Sequence, residues 1–408
     1  MAAANGHDTS YEWKATLVLS LAFGLVGLDR FILPSLFPAM REDLGLDASD
    51  LGNLVGYLAV AWGVSAVLFG SLSDRLGRRN VLVPAVVFFS LMSALSGMAT
   101  GLVSLLLVRV IMGVAEGAVA PTGVAVVVEA SHPKRRGVNN GFFQCAIALF
   151  GLGIAPIMAT QLLQVTDWRN VFLIAGIPGL IVAVFLWKIV REPHQLAGAA
   201  PAGTVRPPFL SIFKHRNIPL SMLALLCAMV GIFVLSAFIP VYLADYLKLE
   251  LTDRGFVSSA IGFGGAIGQF AIPAVSDYIG RRMATVISFV VSAIFLWFFI
   301  HTGAGDNLRL FVLLFGVTLF NFGALAILAG PIPAEAAPPG LIATAAGVVI
   351  GAGEIFGGGF APMIAGGVAQ SHGIQYTLWL TMGGLIAGLV VSAFLQETAP
   401  RKLRAGAA

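Results

Sequence analysis

Charge is what this 408-residue chain has least of. Its 24 lysines and arginines and 20 acids make up only 11% of the residues, against roughly a quarter in a soluble domain. A surface so poor in charge cannot be kept in water, which excludes a soluble globular protein and makes lipid the expected solvent. Cysteine is nearly absent. Cys145 and Cys227 both fall in apolar runs, where a free thiol packs as a small hydrophobe, and no spacing suits a disulfide framework or a metal. The six histidines do not gather, and His132, His194 and His215 lie in basic, polar stretches. No metal and no cofactor are therefore expected. The opening "MAAANGHDTSYEWK" lacks the basic start of a secretory signal, and the apolar run behind it is too long for a signal core, so it is read as a first membrane span.

What is there instead is glycine, 48 residues of it, set inside apolar runs, with a mean hydropathy of +0.91. Small residues in apolar helices let backbones approach closely inside a bilayer. A helix needs about 20 apolar residues to cross. Twelve such runs can be marked, at 15–40, 51–72, 80–100, 102–129, 137–163, 168–190, 218–247, 255–276, 283–302, 308–335, 341–370 and 374–396. With the N-terminus inside, seventeen basic residues fall on the inner side, five on the outer side (Arg41, Arg169, Lys248, Arg254, Arg309) and two, Arg30 and Arg109, within spans. That asymmetry obeys the positive-inside rule. It predicts cytoplasmic N- and C-termini in a cell (inner) membrane. It also makes the net charge of +4 a matter of topology, with no nucleic-acid partner.

The longest polar interruption, residues 191–217, is rich in Pro, Ala and Gly. It predicts an amino-terminal six-helix bundle over 1–190, a cytoplasmic linker over 191–217 and a carboxy-terminal bundle over 218–408. An internal echo agrees: "SDRLGRRN" at 73–80 returns as "SDYIGRRM" at 276–283, 203 residues later. Internal repeats of this kind mark many transporter folds. The expected class is an all-α membrane protein of twelve transmembrane helices in two six-helix pseudo-repeats.

"GSLSDRLGRRN" resembles the loop signature of the major facilitator superfamily, through Gly70, Asp74, Arg75, Gly77, Arg78 and Arg79. The second copy keeps Asp277, Gly280, Arg281 and Arg282 but has Pro273 in place of the leading glycine. "VRVIMGVAEG", with Arg109 and Gly113, resembles the fourth-helix pattern of that family, and "TDWRNVFLIAGIPG" the start of its sixth helix. A narrower resemblance, on Asp29, Arg30, Arg109 and Glu116, is to the anion:cation symporter branch, which includes sialin-like, vesicular glutamate and sugar-acid proton symporters. It implies substrate contact and proton coupling at Arg30 and Glu116, with Asp29 and Arg109 as partners.

The charges themselves argue in the same direction. An ionised side chain at the bilayer centre costs about 2.5–3.5 kcal/mol on insertion scales, so such residues are functional by default. Arg109 and Glu116 share one helix face about 10.5 Å apart, too far to touch, leaving room between them for another helix's charges or a ligand. Asp29 and Arg30 point about 100° apart. Arg30 is expected to face a water-accessible cleft and offer its fork of donors to a carboxylate. Glu116 is expected to titrate, competing for Arg30 or Arg109 when charged, while Asp29 either holds Arg109 or is a second proton site. A fixed ion-pair network that only holds the bundle together is the structural alternative. Gln144, Gln269, Asn321 and Glu354 are further polar candidates, either lining a cavity or joining helices; Glu354 is charged and stands among glycines, and ranks as a third proton-coupling candidate. Among the aromatics, Tyr57, Trp62 and Tyr242 are candidates for stacking on substrate, and Tyr57 and Gln144 join the arginines in the expected substrate set. Glu129 and Glu335 end spans four and ten at equivalent places. They are expected to pair with the loops carrying Asp74, Arg75, Gly77, Arg78, Asp277 and Arg281 as gating contacts, or else to act as surface anchors.

The functional expectation is a proton-coupled symporter importing a small organic anion by alternating access, working as a monomer with proton, anion and lipid bilayer as its partners. The rival is a proton-coupled drug or metabolite efflux antiporter, which would more naturally carry a buried acid without central arginines. A membrane-embedded enzyme or sensor finds no nucleophile elbow, phosphate loop or long cytoplasmic domain to support it.

Overall fold

The chain is described by a computed structural model, which covers residues 8–132, 135–191, 209–337, 341–399 and 402, with the side chains of 70, 71, 74, 75, 209, 210 and 342–344 left out. Most of the 191–217 linker, together with the side chains of Asp74 and Arg75, thus lies outside the described residues. Among the described residues, twelve helices are long and apolar enough to cross a membrane. They are α1 (Thr9–Leu44), α2 (Ala48–Leu76), α3 (Arg78–Ser96), α4 (Leu102–Ala130), α5 (Arg136–Leu162), α6 (Trp168–Ile189), α7 (Asn217–Asp245), α8 (Leu251–Ile279), α9 (Arg281–Ile300), α10 (Asn307–Ala336), α11 (Ala345–His372) and α12 (Tyr376–Ala393). Each expected span has its helix. Several run longer than the apolar run that predicts them, because polar caps extend them beyond the lipid: Asp8 accepts from the Tyr11 amide, and Asp47 and Asp50 close a capping box at the start of α2.

Two apolar cores form, one almost wholly from α1–α6 and one almost wholly from α7–α12. The turns of the echoed loop are built alike. Gly77 has φ +94° and Gly280 φ +103°, a region that side chains with a Cβ rarely enter, and each turn reverses the chain directly into the next helix. Gly280→Ala is therefore expected to destabilise the protein by about 1–2 kcal/mol, read as a lowered unfolding temperature in detergent, with Gly367→Ala on an open helix face as the unaffected control.

Helices α5 and α11 are each interrupted by a π-helical segment, Ala148–Ile154 and Gly353–Phe360. An Ala-Pro pair follows each, at 155–156 and 361–362. Proline has no amide to donate and its ring crowds the carbonyl one turn back, which displaces the ladder just ahead of it. The α5 segment packs on α1 and crosses to α8; the α11 segment packs on α7 and crosses to α2. The two halves thus meet through α2–α11 and α5–α8, related by a pseudo-twofold.

These contacts are uneven along the helices. Away from the termini they are close. A Cβ on Gly56 would stand 2.6 Å from the Gly359 carbonyl, and one on Gly366 2.7 Å from that of Ala48. Gln164, just past the end of α5, donates to Thr252 on α8 at 3.0 Å. Arg41, at the end of α1, forms a two-pronged ion pair with Asp245 at the end of α7, its second prong 2.8 Å long. Toward the end of the bundle that carries the termini, the contacts of α2 with α11 and of α5 with α8 thin out among the described residues, although Gly141 of α5 still meets Phe270 of α8. The bundle is shut at one end and parted at the other. Asp245→Asn is expected to weaken the shut end. Both partners are about one-third exposed, so a surface pair's worth of ~0.5–1 kcal/mol applies, a two- to fivefold shift in population. The rate at which a cysteine placed at Ala369, buried beside this pair, reacts with an impermeant thiol reagent measures it.

Candidate functional site

Five buried charged residues, Asp29, Arg30, Arg109, Glu116 and Glu354, gather in the middle of the bundle. Two glycines on α4 make this possible. Gly113 lies against the Leu58 carbonyl of α2, where an added Cβ would come to 2.5 Å, and Gly117 lies against that of Trp62. The close crossing of α2 and α4 sets Glu116, between these glycines in sequence, into the interior at 0% exposure. Gly117→Val is expected to force the two helices apart at a cost of about 1–3 kcal/mol, seen as a lowered unfolding temperature together with lost transport.

Arg109, one face with Glu116 as expected, donates through Nη1 to the Asp29 backbone carbonyl at 2.9 Å, while its Nε and Nη2 have no bonded partner. Asp29 does hold Arg109, but through its carbonyl; its carboxylate instead accepts from Ser93 Oγ of α3 at 2.7 Å. Neither carboxyl oxygen of Glu116 has a hydrogen-bond partner, although Arg30, Asp29 and Arg109 are within electrostatic reach. The competition of Glu116 for an arginine expected from the sequence is not a contact in this state.

Arg30 points the other way, into the seam between the halves. Its guanidinium lies 4.6 Å from the Phe233 ring centroid of α7, 5.5 Å from Phe31 and 5.6 Å from Trp62 of α2. Such cation–π contacts hold a desolvated cation in place. Its polar partner is Glu354 of α11, Nη2 to Oε2 at 3.4 Å, and Arg30 Nε is buried and unbonded. The residue is 4% exposed, so the expected water-lined cleft does not reach Arg30 here: aromatic rings and Glu354 cover it. Phe233 stands 203 residues after Arg30, the offset of the loop echo, so a cation in one repeat faces a ring at the matching place in the other.

The remaining candidates scatter. Tyr57 is 48% exposed and about 140° around α2 from Trp62, on the side away from Arg30. Gln144 is exposed on α5, one turn beyond Gly141, which abuts Phe270 of α8. Gln269 is half-buried, and Asn321 is buried and donates to the Ala228 carbonyl at 3.1 Å. Tyr242 is stacked on Tyr246 at 5.0 Å inside the second core. Glu129 accepts from Arg78 Nη2 at 3.0 Å, and Glu335 from Arg281 Nη2 at 3.0 Å. Each arginine also donates to the serine five residues before it, Ser73 at 2.9 Å and Ser276 at 2.6 Å. Arg281 pairs with Asp277 at 2.6 Å as well. The contacts of Arg78 with Ser73 and Glu129, and those of Arg281 with Ser276, Asp277 and Glu335, each lie within one half. Sequence reasoning missed Glu397, which accepts from the amides of Arg281 and Arg282, and Glu12, buried under Arg135 and Asn139. It also missed the Arg41–Asp245 pair. Only the repeat "FGLGIAPIMA" at 150–159 and "FGGGFAPMIA" at 356–365 carried a usable signal, for the paired π-helical segments.

Two six-helix halves, a shut end, a parted end and a buried charge cluster at their seam define a secondary transporter rather than an enzyme. The sequence profile of the Major Facilitator Superfamily matches residues 19–352 and 222–408, and the chain belongs to that family. It is 26% identical to the sialic acid transporter NanX of Escherichia coli over 390 residues, covering 93% of this chain and 92% of that one. It is 29% identical to a probable L-galactonate transporter of the same organism, over 66% and 62%, and 24% identical to the 4-hydroxybenzoate transporter PcaK of Pseudomonas aeruginosa, over 70% and 71%. Among solved structures, a bacterial homolog of the human lysosomal transporter Spinster, in an inward-facing and occupied conformation, superposes with a TM-score of 0.79 at 17% identity, over 94% of this chain and 97% of that one. A D-xylose-proton symporter gives 0.78 at 21%, over 95% and 99%.

Proposed function

We propose that this chain imports a small organic anion together with protons by alternating access, with Arg30 as the group that binds the anion. The observation that carries the reading is the guanidinium of Arg30: five donors at the seam of the two halves, one long bond and an unbonded Nε. A carboxylate matches that planar fork in charge and geometry. The relatives named for sialic acid, L-galactonate and 4-hydroxybenzoate fit a carboxylate cargo. With the termini cytoplasmic, as the distribution of basic residues supports, the parted end faces the cytoplasm and the shut end, latched by Arg41 and Asp245, faces outward.

Glu116 is the proton site in this scheme. A buried carboxylate with no hydrogen bond is costly when charged, and a proton removes that cost. Its charge acts on Arg30 and Arg109 together, so proton and anion occupancy are linked. Asp29 and Arg109 position the cluster, through the carbonyl contact and the Ser93 bond. The clusters of Arg78 with Glu129 and Arg281 with Glu335 stiffen the cytoplasmic ends of each half so that it rocks as a unit.

The test is uptake into proteoliposomes, acid outside, of L-galactonate, glucuronate, sialic acid and 4-hydroxybenzoate. Accumulation of at least one acid, abolished by a protonophore, is expected. Uptake of none, or uptake indifferent to the protonophore, overturns the reading.

A further inference from the structure

Glu354 has no counterpart in the first half of the chain. The echo that pairs 150–159 with 356–365 puts Ala148 at the matching place. The acid sits in the π-helical segment of α11, 8% exposed, where a lengthened turn swings its side chain over α2. Gly63 of α2 packs beside it: a Cβ there would lie 3.8 Å from that of Glu354, at contact distance. The helices packed on this segment face it with apolar groups, Val60 of α2 and Met229 and Phe233 of α7. The charged groups come from α1 and α4: Arg30 in contact, and Asp29, Arg109 and Glu116 in the cluster behind it.

We propose that Glu354 is an internal substitute for the cargo's carboxylate: in the empty carrier it neutralises Arg30 across the seam, and an incoming anion must displace it. The inference rests on the reading of Arg30 as the anion site. Its physical basis is the return step. To change which side it opens to, a carrier must bring both halves together with little water between them. An unpaired guanidinium there is a buried, uncompensated charge, the costliest arrangement available. Laden, the anion neutralises it. Unladen, the carrier needs a carboxylate from the opposite half, and α11 supplies one. The weak geometry fits such a temporary partner. A single 3.4 Å bond neutralises Arg30 without filling its fork, so a bidentate carboxylate displaces it. Once displaced, Glu354 is itself a buried anion with no counter-charge and takes up a proton, adding a second place where cargo and proton are linked. The same device lets the carrier return without cargo, the requirement for net uptake as opposed to one-for-one exchange.

The decisive measurement needs no cargo. In proteoliposomes with Cys145 and Cys227 replaced by alanine and a reporter cysteine at Ala369 beside the outer latch, the rate of modification from outside reports how often the empty protein opens outward. Glu354→Gln is expected to slow it about tenfold or more, since the lone Arg30 blocks closure. Glu354→Asp is expected to stay near the parent rate. The double variant Arg30→Gln with Glu354→Gln is expected to recover it, because removing both partners leaves no charge to bury; a merely structural glutamate would show no such rescue. An unchanged rate in Glu354→Gln, or no recovery in the double variant, overturns the proposal. With whichever of the four acids the parent transports, Glu354→Gln is further expected to slow net efflux at least about fivefold more than counterflow; equal slowing of both counts against it. If no acid is transported while the empty-carrier rates behave as stated, the assignment of cargo fails and the charge-pairing role of Glu354 stands.

Discussion

Replacing Arg30 with alanine is expected to abolish anion accumulation while leaving a folded, membrane-inserted protein. Two effects combine. The cargo loses a charge-assisted contact, worth about 1.5–3 kcal/mol per bond, and Glu354 loses the cation bonded to it. Lysine separates them. Arg30→Lys keeps a positive charge for Glu354 but offers a point charge in place of a fork, and is expected to lower affinity roughly 10–100-fold with the fold intact. Uptake of the panel acids by the parent, Arg30→Lys and Arg30→Ala, beside their unfolding temperatures, separates binding from stability. Uptake retained in Arg30→Ala removes the anion hook from the mechanism. The three rings around the guanidinium make an intermediate effect predictable too: Phe233→Leu keeps the apolar wall but loses a cation–π contact of about 0.5–2 kcal/mol, a few-fold rise in the half-saturating acid concentration.

Glu116→Gln carries the second large effect. Glutamine has the same shape and no charge, and since neither oxygen of Glu116 is hydrogen-bonded, folding is expected to change little. Proton-driven accumulation, by contrast, is expected to fall steeply, with only the linkage at Glu354 remaining, while exchange of labelled for unlabelled acid across the membrane persists. Exchange passes only through the laden carrier and needs no change in protonation. The pH dependence follows in sign: in the parent, acid outside and neutral inside favours proton and anion entering together, and reversing the gradient reverses the net flow. In Glu116→Gln the gradient keeps only the lever at Glu354. If a gradient drives accumulation as strongly as in the parent, the main coupling proton sits elsewhere, and Glu354 and Asp29 are the buried acids left to test. The Asp29 carboxylate has the Ser93 hydroxyl for company, and Glu354 has Arg30; of the three, Glu116 is the unbonded one, which is why it leads.

The pseudo-twofold explains how unlike chemistry is laid out on like frames. α5 and α11 carry matching π-helical segments, each crossing to a helix of the other half, yet only the second carries an acid. Likewise Arg30 of α1 faces Phe233, its counterpart in α7. In the proposed scheme the first half supplies the cation and the proton site, the second a neutral wall and one glutamate. The arginines of the site therefore come from the amino half alone, while the seam draws on both, because Glu354 reaches Arg30 across it.

How far the chain itself can be read depends on the range of the forces involved. Lipid cannot hydrogen-bond a backbone, so every crossing must be helical, and twelve apolar runs separated by charged loops are legible as twelve helices. The same holds for the repeat, since "SDRLGRRN" and "SDYIGRRM" each encode a local turn at Gly77 and Gly280. Residues that act within one helix or one loop announce themselves: Arg109 and Glu116 share a face by spacing alone. Pairings across distant helices do not. That Arg41 meets Asp245, that Asp29 holds Arg109 by its carbonyl, and that Glu354 covers Arg30 depend on how two separately packed cores settle against each other. Long side chains reach any of several partners from a given helix face, and only the closed seam, with glycines fixing how near the backbones come, decides which one each finds.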